Sequence, residues 1–254
     1  MEQPPAPRLF ALVPCAGTGA RAAAGQPKQY VLLAGRAVVA HTLQALAQVH
    51  GLGGLLVVLA PEDALFEAAV PGFANGMRWV ARCGGATRAE TVRAGLAELR
   101  TRGALDEDWV LVHDAARCLL RAAWVDRLVQ ACRDDPVGGL LALPLADTLK
   151  QSRGDRARST VPRAEKWTAQ TPQMFRLGLL DRALRADTAG FTDESGAIEA
   201  LGLEPRLVTG EWENLKVTFP ADFSLAERLL ASREASGPIA ALSEPFPPAR
   251  PACA

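Results

Sequence analysis

Three stretches of this 254-residue chain have the residue types and spacing for phosphate chemistry. The first is Cys15-Ala16-Gly17-Thr18-Gly19-Ala20-Arg21, with Lys28 following in Pro-Lys-Gln-Tyr. Glycines let backbone N–H groups approach phosphate oxygens because no side chain intervenes, and Arg21 and Lys28 add positive charge. Gly17, Gly19 and Ala22 match the loose dinucleotide fingerprint, but that pattern also needs an acidic residue about 20 positions on. The first such residues after the second strand, Glu62 and Asp63, lie roughly twice as far away. No Gly-Lys-Ser/Thr occurs either. What remains is a phosphate loop of another kind, or a plain turn.

The second stretch is His113-Asp114-Ala115-Ala116-Arg117, at the end of an apolar run. A carboxylate there suits a Mg2+–triphosphate, since Mg2+ takes one or two protein carboxylates plus phosphate oxygens. Arg117 is spaced for a further phosphate, although an ordinary loop salt bridge would also give HDxxR. The third is Gly84-Gly85-Ala86-Thr87-Arg88, with Thr91 beyond it, at an expected helix start where free N–H groups attract anions. Helix capping alone would account for Thr87. Late in the chain Lys216 alternates with Leu215 and Val217. Only Lys28, Lys150, Lys166 and Lys216 are lysine among 28 basic residues. A lysine in so arginine-rich a chain suits a place for a compact ammonium rather than a planar guanidinium, or is retained by chance.

The elements that must position these residues alternate. Strands are expected at 9–14, 54–60, 77–81, 109–113 and 139–145. Helical periods fall at 38–49, from Pro61, at 89–102 and at 124–133. Such alternation predicts an α/β fold with a doubly wound, mainly parallel sheet, which binds ligands at the carboxyl ends of its strands. Residues 147–175 break the pattern and read as a linker, an insertion or a hairpin arm. Helices follow at 177–185, 194–201 and 220–230, with strand-like runs at 207–210 and 214–218. Residues 235–254 read as a proline-rich, disordered tail, leaving 8–232 as one domain.

Composition narrows the function. Twenty-eight basic residues balance 28 acidic ones, so the chain lacks the cationic excess that drives nucleic-acid binding. The longest uncharged stretch, 37–61, is broken by polar residues and glycines and is not a membrane span. The N-terminus is acidic and proline-rich where a signal peptide would be basic. Five cysteines form no CxxC pair, which argues against a zinc site or disulfide framework. A cytoplasmic protein is expected.

Taken in order, LVPCAGTGAR, PKQY, GGATRAETV, VLVHDAAR, ADTLK, TVPR, TPQMF, TDE and NLKVT resemble the 2-C-methyl-D-erythritol 4-phosphate cytidylyltransferases of the non-mevalonate isoprenoid pathway. The resemblance implies a nucleotidyltransferase-type sheet with a protruding β-arm that clasps a second subunit. CTP and methylerythritol phosphate would be the substrates and Mg2+ the cofactor. By the same resemblance, Arg21, Lys28, Arg163 and Lys216 are catalytic. Ala16, Gly17, Thr18, Gly19, Gly84, Gly85, Arg88 and Thr91 hold the nucleotide, and Asp114, Arg117, Thr171 and Thr192 line the substrate side, with Asp114 toward the metal. Cys15, Ala86 and Cys118 depart from the family pattern. Two alternatives stand beside it: a cytidylyltransferase for another polyol phosphate such as ribitol 5-phosphate, and a catalytically silent nucleotide-binding module.

Overall fold

The computed structural model describes residues 6–17, 26–186 and 191–236. Its centre is a seven-stranded sheet in the order β11-β7-β10-β6-β1-β4-β5. These strands are β1 (Leu9–Pro14), β4 (Leu52–Val58), β5 (Arg78–Ala81), β6 (Trp109–Val112), β7 (Gly138–Pro144), β10 (Trp167–Arg176) and β11 (Arg206–Thr209), while β2 (Leu32–Leu33) and β3 (Arg36–Ala37) pair as a short ribbon outside the sheet. Strands β6, β1, β4 and β5 run parallel to one another, β11 runs parallel to β7, and β10 is antiparallel to both its neighbours.

Strand periodicity sends alternate residues of β1 to opposite faces. Leu9, Ala11 and Val13 join α1 (Val38–Leu46) and α4 (Ala122–Cys132) through Val39, Leu43, Val125 and Leu128. Phe10 and Leu12 pack on α3 (Arg88–Thr101) and α5 (Leu177–Arg185) through Val92, Leu96, Leu99, Leu180 and Leu184. Both faces are covered, as expected of a doubly wound fold. A smaller cluster seats Val217 among Leu33, Val38, Leu119 and Ala226, the last from α7 (Pro220–Ser236).

Three expectations need correcting. The segment from Pro61 is not helical: Asp63 Oδ1 accepts the N–H groups of Leu65 and Phe66 at 3.0 and 3.1 Å, and the short α2 (Phe66–Ala69) starts only there. The arm is also shorter than 147–175. Only β8 (Leu149–Arg153) and β9 (Arg156–Val161) form a separate hairpin, because β10 inserts between β6 and β7. Its Gln170, Thr171 and Gln173 concealed a buried strand in the sequence, and each is hydrogen-bonded inside. Finally, residues 214–218 are irregular rather than a strand, held where the Val217 N–H meets the Ala116 carbonyl at 2.9 Å. The expected tail starts within α7 at residue 235, and its remainder, 237–254, lies outside the described residues.

Candidate active site

The parallel strands β1, β4, β5 and β6 deliver their following loops to one edge of the sheet, where a cleft of about 700 Å³ opens. Gly84 explains how two of these loops close together. A Cβ there would sit 2.4 Å from the Ala16 Cβ and 2.7 Å from the Leu59 carbonyl oxygen. Ala16, Gly17, Lys28, Gly84, Gly85, Arg88, Thr91, Asp114 and Lys216 all line the cleft. Distant stretches of sequence therefore meet in one place.

Asp114, just past β6, is the hub. Arg88 Nε donates to its Oδ1 at 3.0 Å and Lys216 Nζ to its Oδ2 at 2.8 Å, while Arg117 Nε stands 3.9 Å from Oδ2. Burial alone would raise this carboxyl. The three cations outweigh burial and hold it well below the ordinary carboxylate range. Arg88 also grips Glu194 with both terminal nitrogens, at 2.5 and 3.0 Å. Burial opposes its charge, and the two carboxylates keep it firmly protonated.

Neighbouring backbone is fixed by side chains on three elements. The Asp114 N–H donates to Thr171 Oγ1 at 3.1 Å, and Thr171 Oγ1 also lies 3.1 Å from His113 Nδ1. Burial lowers the His113 pKa to about 4, so the imidazole is neutral near pH 7. Asn214 Nδ2 donates to the Thr171 carbonyl at 2.8 Å, tying the Lys216 segment to β10. Lys28, in a 3-10 turn, donates to the Val217 carbonyl at 3.0 Å, and Gln29 Nε2 donates to the Gly17 carbonyl at 2.8 Å. At the head of α3, Thr87 and Glu90 form a reciprocal capping box, and Thr91 Oγ1 accepts the Gly85 N–H at 3.2 Å. Thr91 thus braces the glycine pair on its helix.

Other expected site residues lie elsewhere. Thr171 is buried behind Asp114 and acts on the cleft through backbone. Arg117 spends its terminal nitrogens on the carbonyls of Asn214 and Ala169, at 2.6 and 3.3 Å, so it clips the site together. Thr192 is exposed outside the cleft, one residue before the Asp193 cap of α6 (Glu194–Glu199). Arg163 sits exposed beyond β9, donating to the Ala146 carbonyl, and does not reach the cleft of its own chain. Thr18, Gly19 and Arg21 lie outside the described residues. Glu194, Gln29, Asn214 and a structural role for His113 were not expected from the sequence. Glu194 lies beside Asp193, Gln29 beside Lys28 and Asn214 beside Glu213, so nothing in the sequence marks them as buried.

A doubly wound sheet with a glycine-lined cleft at its strand ends, carrying Lys28, Arg88 and Lys216, places the protein in the α/β class that binds phosphorylated ligands at such a crevice. Known proteins sharpen this. The family model described as 2-C-methyl-D-erythritol 4-phosphate cytidylyltransferase matches residues 9–232. A protein of that name from Burkholderia vietnamiensis is 52% identical over 232 residues, covering 89% of this chain and 97% of its own. A bifunctional enzyme IspD/IspF from Albidiferax ferrireducens is 54% identical over 240 residues, and there the chain spans 94% of itself but 57% of the relative. Among solved structures, a 4-diphosphocytidyl-2C-methyl-D-erythritol synthase superposes with a TM-score of 0.78 at 40% identity, covering 88% of this chain and 98% of that one. The chain belongs to the 2-C-methyl-D-erythritol 4-phosphate cytidylyltransferase family.

Proposed function

We propose that the chain transfers a cytidylyl group from CTP to 2-C-methyl-D-erythritol 4-phosphate, giving 4-diphosphocytidyl-2-C-methyl-D-erythritol and pyrophosphate for isoprenoid precursor synthesis. The observation that carries this reading is the cleft itself, where Arg88 and Lys216 converge on the buried carboxylate of Asp114 and Lys28 lines the same space. An acceptor phosphate oxygen attacks the α-phosphorus of CTP, and the bond to the pyrophosphate leaving group breaks. A phosphate monoester is already ionised near pH 7, so no general base is needed. The buried, neutral His113 is engaged with Thr171 and the Arg117 carbonyl instead. Catalysis then consists of positioning and of cations set against developing charge. By family resemblance, Lys28 and Arg21 serve the nucleotide and Lys216 the acceptor phosphate.

The donor set fits a Mg2+ that arrives with the triphosphate rather than a resident metal. No group of three metal-ligating side chains occurs among the described residues, and only Asp114 and Glu62 bring carboxylates to the cleft. Asp114, held ionised, would be the protein ligand, and the ion would offset triphosphate charge.

A homodimer is part of the reading. In β8 and β9 every side chain but the half-buried Val161 is exposed, and Leu149 and Trp167 near the base of the arm are 37% exposed. A hairpin with so little burial of its own gains stability by packing on another surface. Clasping a second copy would carry Arg163 to that copy's cleft. The free state of Cys15, Cys83, Cys118 and Cys132 supports a reducing compartment, the cytoplasm. No helix among the described residues is long and apolar enough to cross a membrane.

Pyrophosphate release from purified protein, with each NTP against a panel of polyol phosphates, tests the proposal. CTP with methylerythritol phosphate should be the productive pair. Equal turnover with UTP or ATP, or a preference for ribitol 5-phosphate, would overturn it.

A further inference from the structure

An arginine beside a carboxylate commonly takes both oxygens with its planar fork. Arg88 does not do so at Asp114. Its Nη1 and Nη2 are committed to Glu194, so Nε alone reaches Asp114, at Oδ1. The second oxygen, Oδ2, is thereby left to Lys216 at 2.8 Å. How Arg88 divides its donors thus decides what Asp114 offers the cleft.

Glu194 causes that division without lining the cleft. It is fully buried, and burial raises its carboxyl above the ordinary range even with Arg88 opposing. A buried carboxylate is costly unless paired, and replacing such a pair with apolar groups is often neutral or stabilising. Its place is fixed from β10: Gln173 Oε1 accepts the Ser195 N–H at 2.7 Å, and Gln173 Nε2 donates to Asp193 Oδ2 at 2.8 Å. The same strand supplies the Thr171 hydroxyl that accepts the Asp114 N–H. Glu194 and Asp114 are therefore registered to each other through one strand.

We propose that Glu194 is a positioning residue: by occupying both terminal nitrogens of Arg88 it restricts that arginine to one bond with Asp114 and keeps Asp114 Oδ2 available to Lys216 and to bound substrate. Without the Glu194 charge, Arg88 turns its fork onto Asp114, takes both oxygens and displaces Lys216. The inference rests on the reading of Asp114 and Lys216 given above. It extends that reading to a residue outside the cleft.

A double-mutant cycle tests it, using Glu194→Gln, Asp114→Asn and the combined variant. Two readouts are used: single-turnover rate, and CTP affinity by calorimetry in the presence of Mg2+. Glu194→Gln should lower the rate by about 10–100-fold, the range found when a partner orienting a ligating side chain is lost. Its melting temperature should fall, because removing one partner of a buried pair is destabilising, so the cycle rather than the single variant reads positioning. In the Asp114→Asn background the same substitution should cost less than about threefold, because coupled residues are strongly non-additive. CTP affinity should follow the same pattern. If Glu194→Gln fails to fold, Glu194→Asp keeps the charge but falls one methylene short of the double contact, and the same losses apply. A variant that keeps more than half the wild-type rate and affinity would overturn the proposal. So would an equal loss in both backgrounds, which marks mere structural weakening. The calorimetric cycle reads Glu194 even if the wild type fails to turn over methylerythritol phosphate, a failure that would count against the function instead.

Discussion

The cleft and the arm are held in opposite ways. Around the cleft, Asp114, Thr171, Glu194 and Asn214 are buried, and each has a hydrogen-bonding partner within the same chain. Along the arm, β8 and β9 bury almost nothing, yet the turn beyond them carries Arg163, a residue expected to act on substrate. A region organised by its own chain can be read as a site directly. A hairpin so exposed gains its meaning only from what it packs against, so the two regions belong to one mechanism only if two chains share it.

Removing cleft cations should give the largest effects. Lys28→Ala and Lys216→Ala should each lower kcat by about 100–1,000-fold, the usual result when a donor aimed at developing charge is removed. Circular dichroism should show the fold intact. Lys166→Ala, an exposed change on the arm side, should stay near wild type. Full activity in Lys28→Ala would separate the cleft from the chemistry. An equal loss in Lys166→Ala would mean that the variants fail through general destabilisation.

A smaller effect concerns stability of the buried network against pH. His113 titrates near 6.5 when unfolded and near 4 when folded. As pH falls through that window, the unfolded chain takes up a proton that the native one refuses, so stability declines. The loss by pH 4.5 is about 2 kcal/mol. Urea titrations at pH 7 and 4.5 should show His113→Asn losing less over this interval than the wild type. The same pH slope in both proteins would contradict a buried, neutral imidazole.

Smallest is the cap of α3. Thr87→Ala removes the side chain that accepts the Glu90 N–H at 3.1 Å and should cost about 1 kcal/mol of unfolding free energy. Activity should fall only modestly, because Thr91 still braces the glycine pair. An unchanged midpoint in urea would show that the helix start is held by other contacts.

Much of the cleft was legible because its residues follow strand ends, and strand ends are visible as breaks in apolar runs. LFALVP, RWVA and WVLV each announce themselves, so Gly17, Gly84 and Asp114 could be placed from their positions after them. β10 was hidden because its polar residues mimic an exposed segment, and only the partners of Gln170, Thr171 and Gln173 make them tolerable inside. The Lys216 segment misled in the other direction. Val217 packs inward and alternates with Lys216, but the alternation comes from docking against Ala116 and α7 rather than from strand pairing. Glu194 was illegible because nothing in TDE tells a capping acid from a buried counter-ion, and the difference is made by Arg88, more than 100 positions earlier.

The shared site is tested most directly by mixing two inactive variants. Lys28→Ala and Arg163→Ala subunits, tagged differently and allowed to exchange, should form mixed dimers. If the arm serves the partner's cleft, one of the two sites in each mixed dimer is whole. Random exchange makes half the dimers mixed, so roughly a quarter of wild-type activity should return. If Arg163 serves its own cleft, every site lacks one cation. Activity no higher than that of the separate variants, with mixed dimers recovered through both tags, would contradict the account.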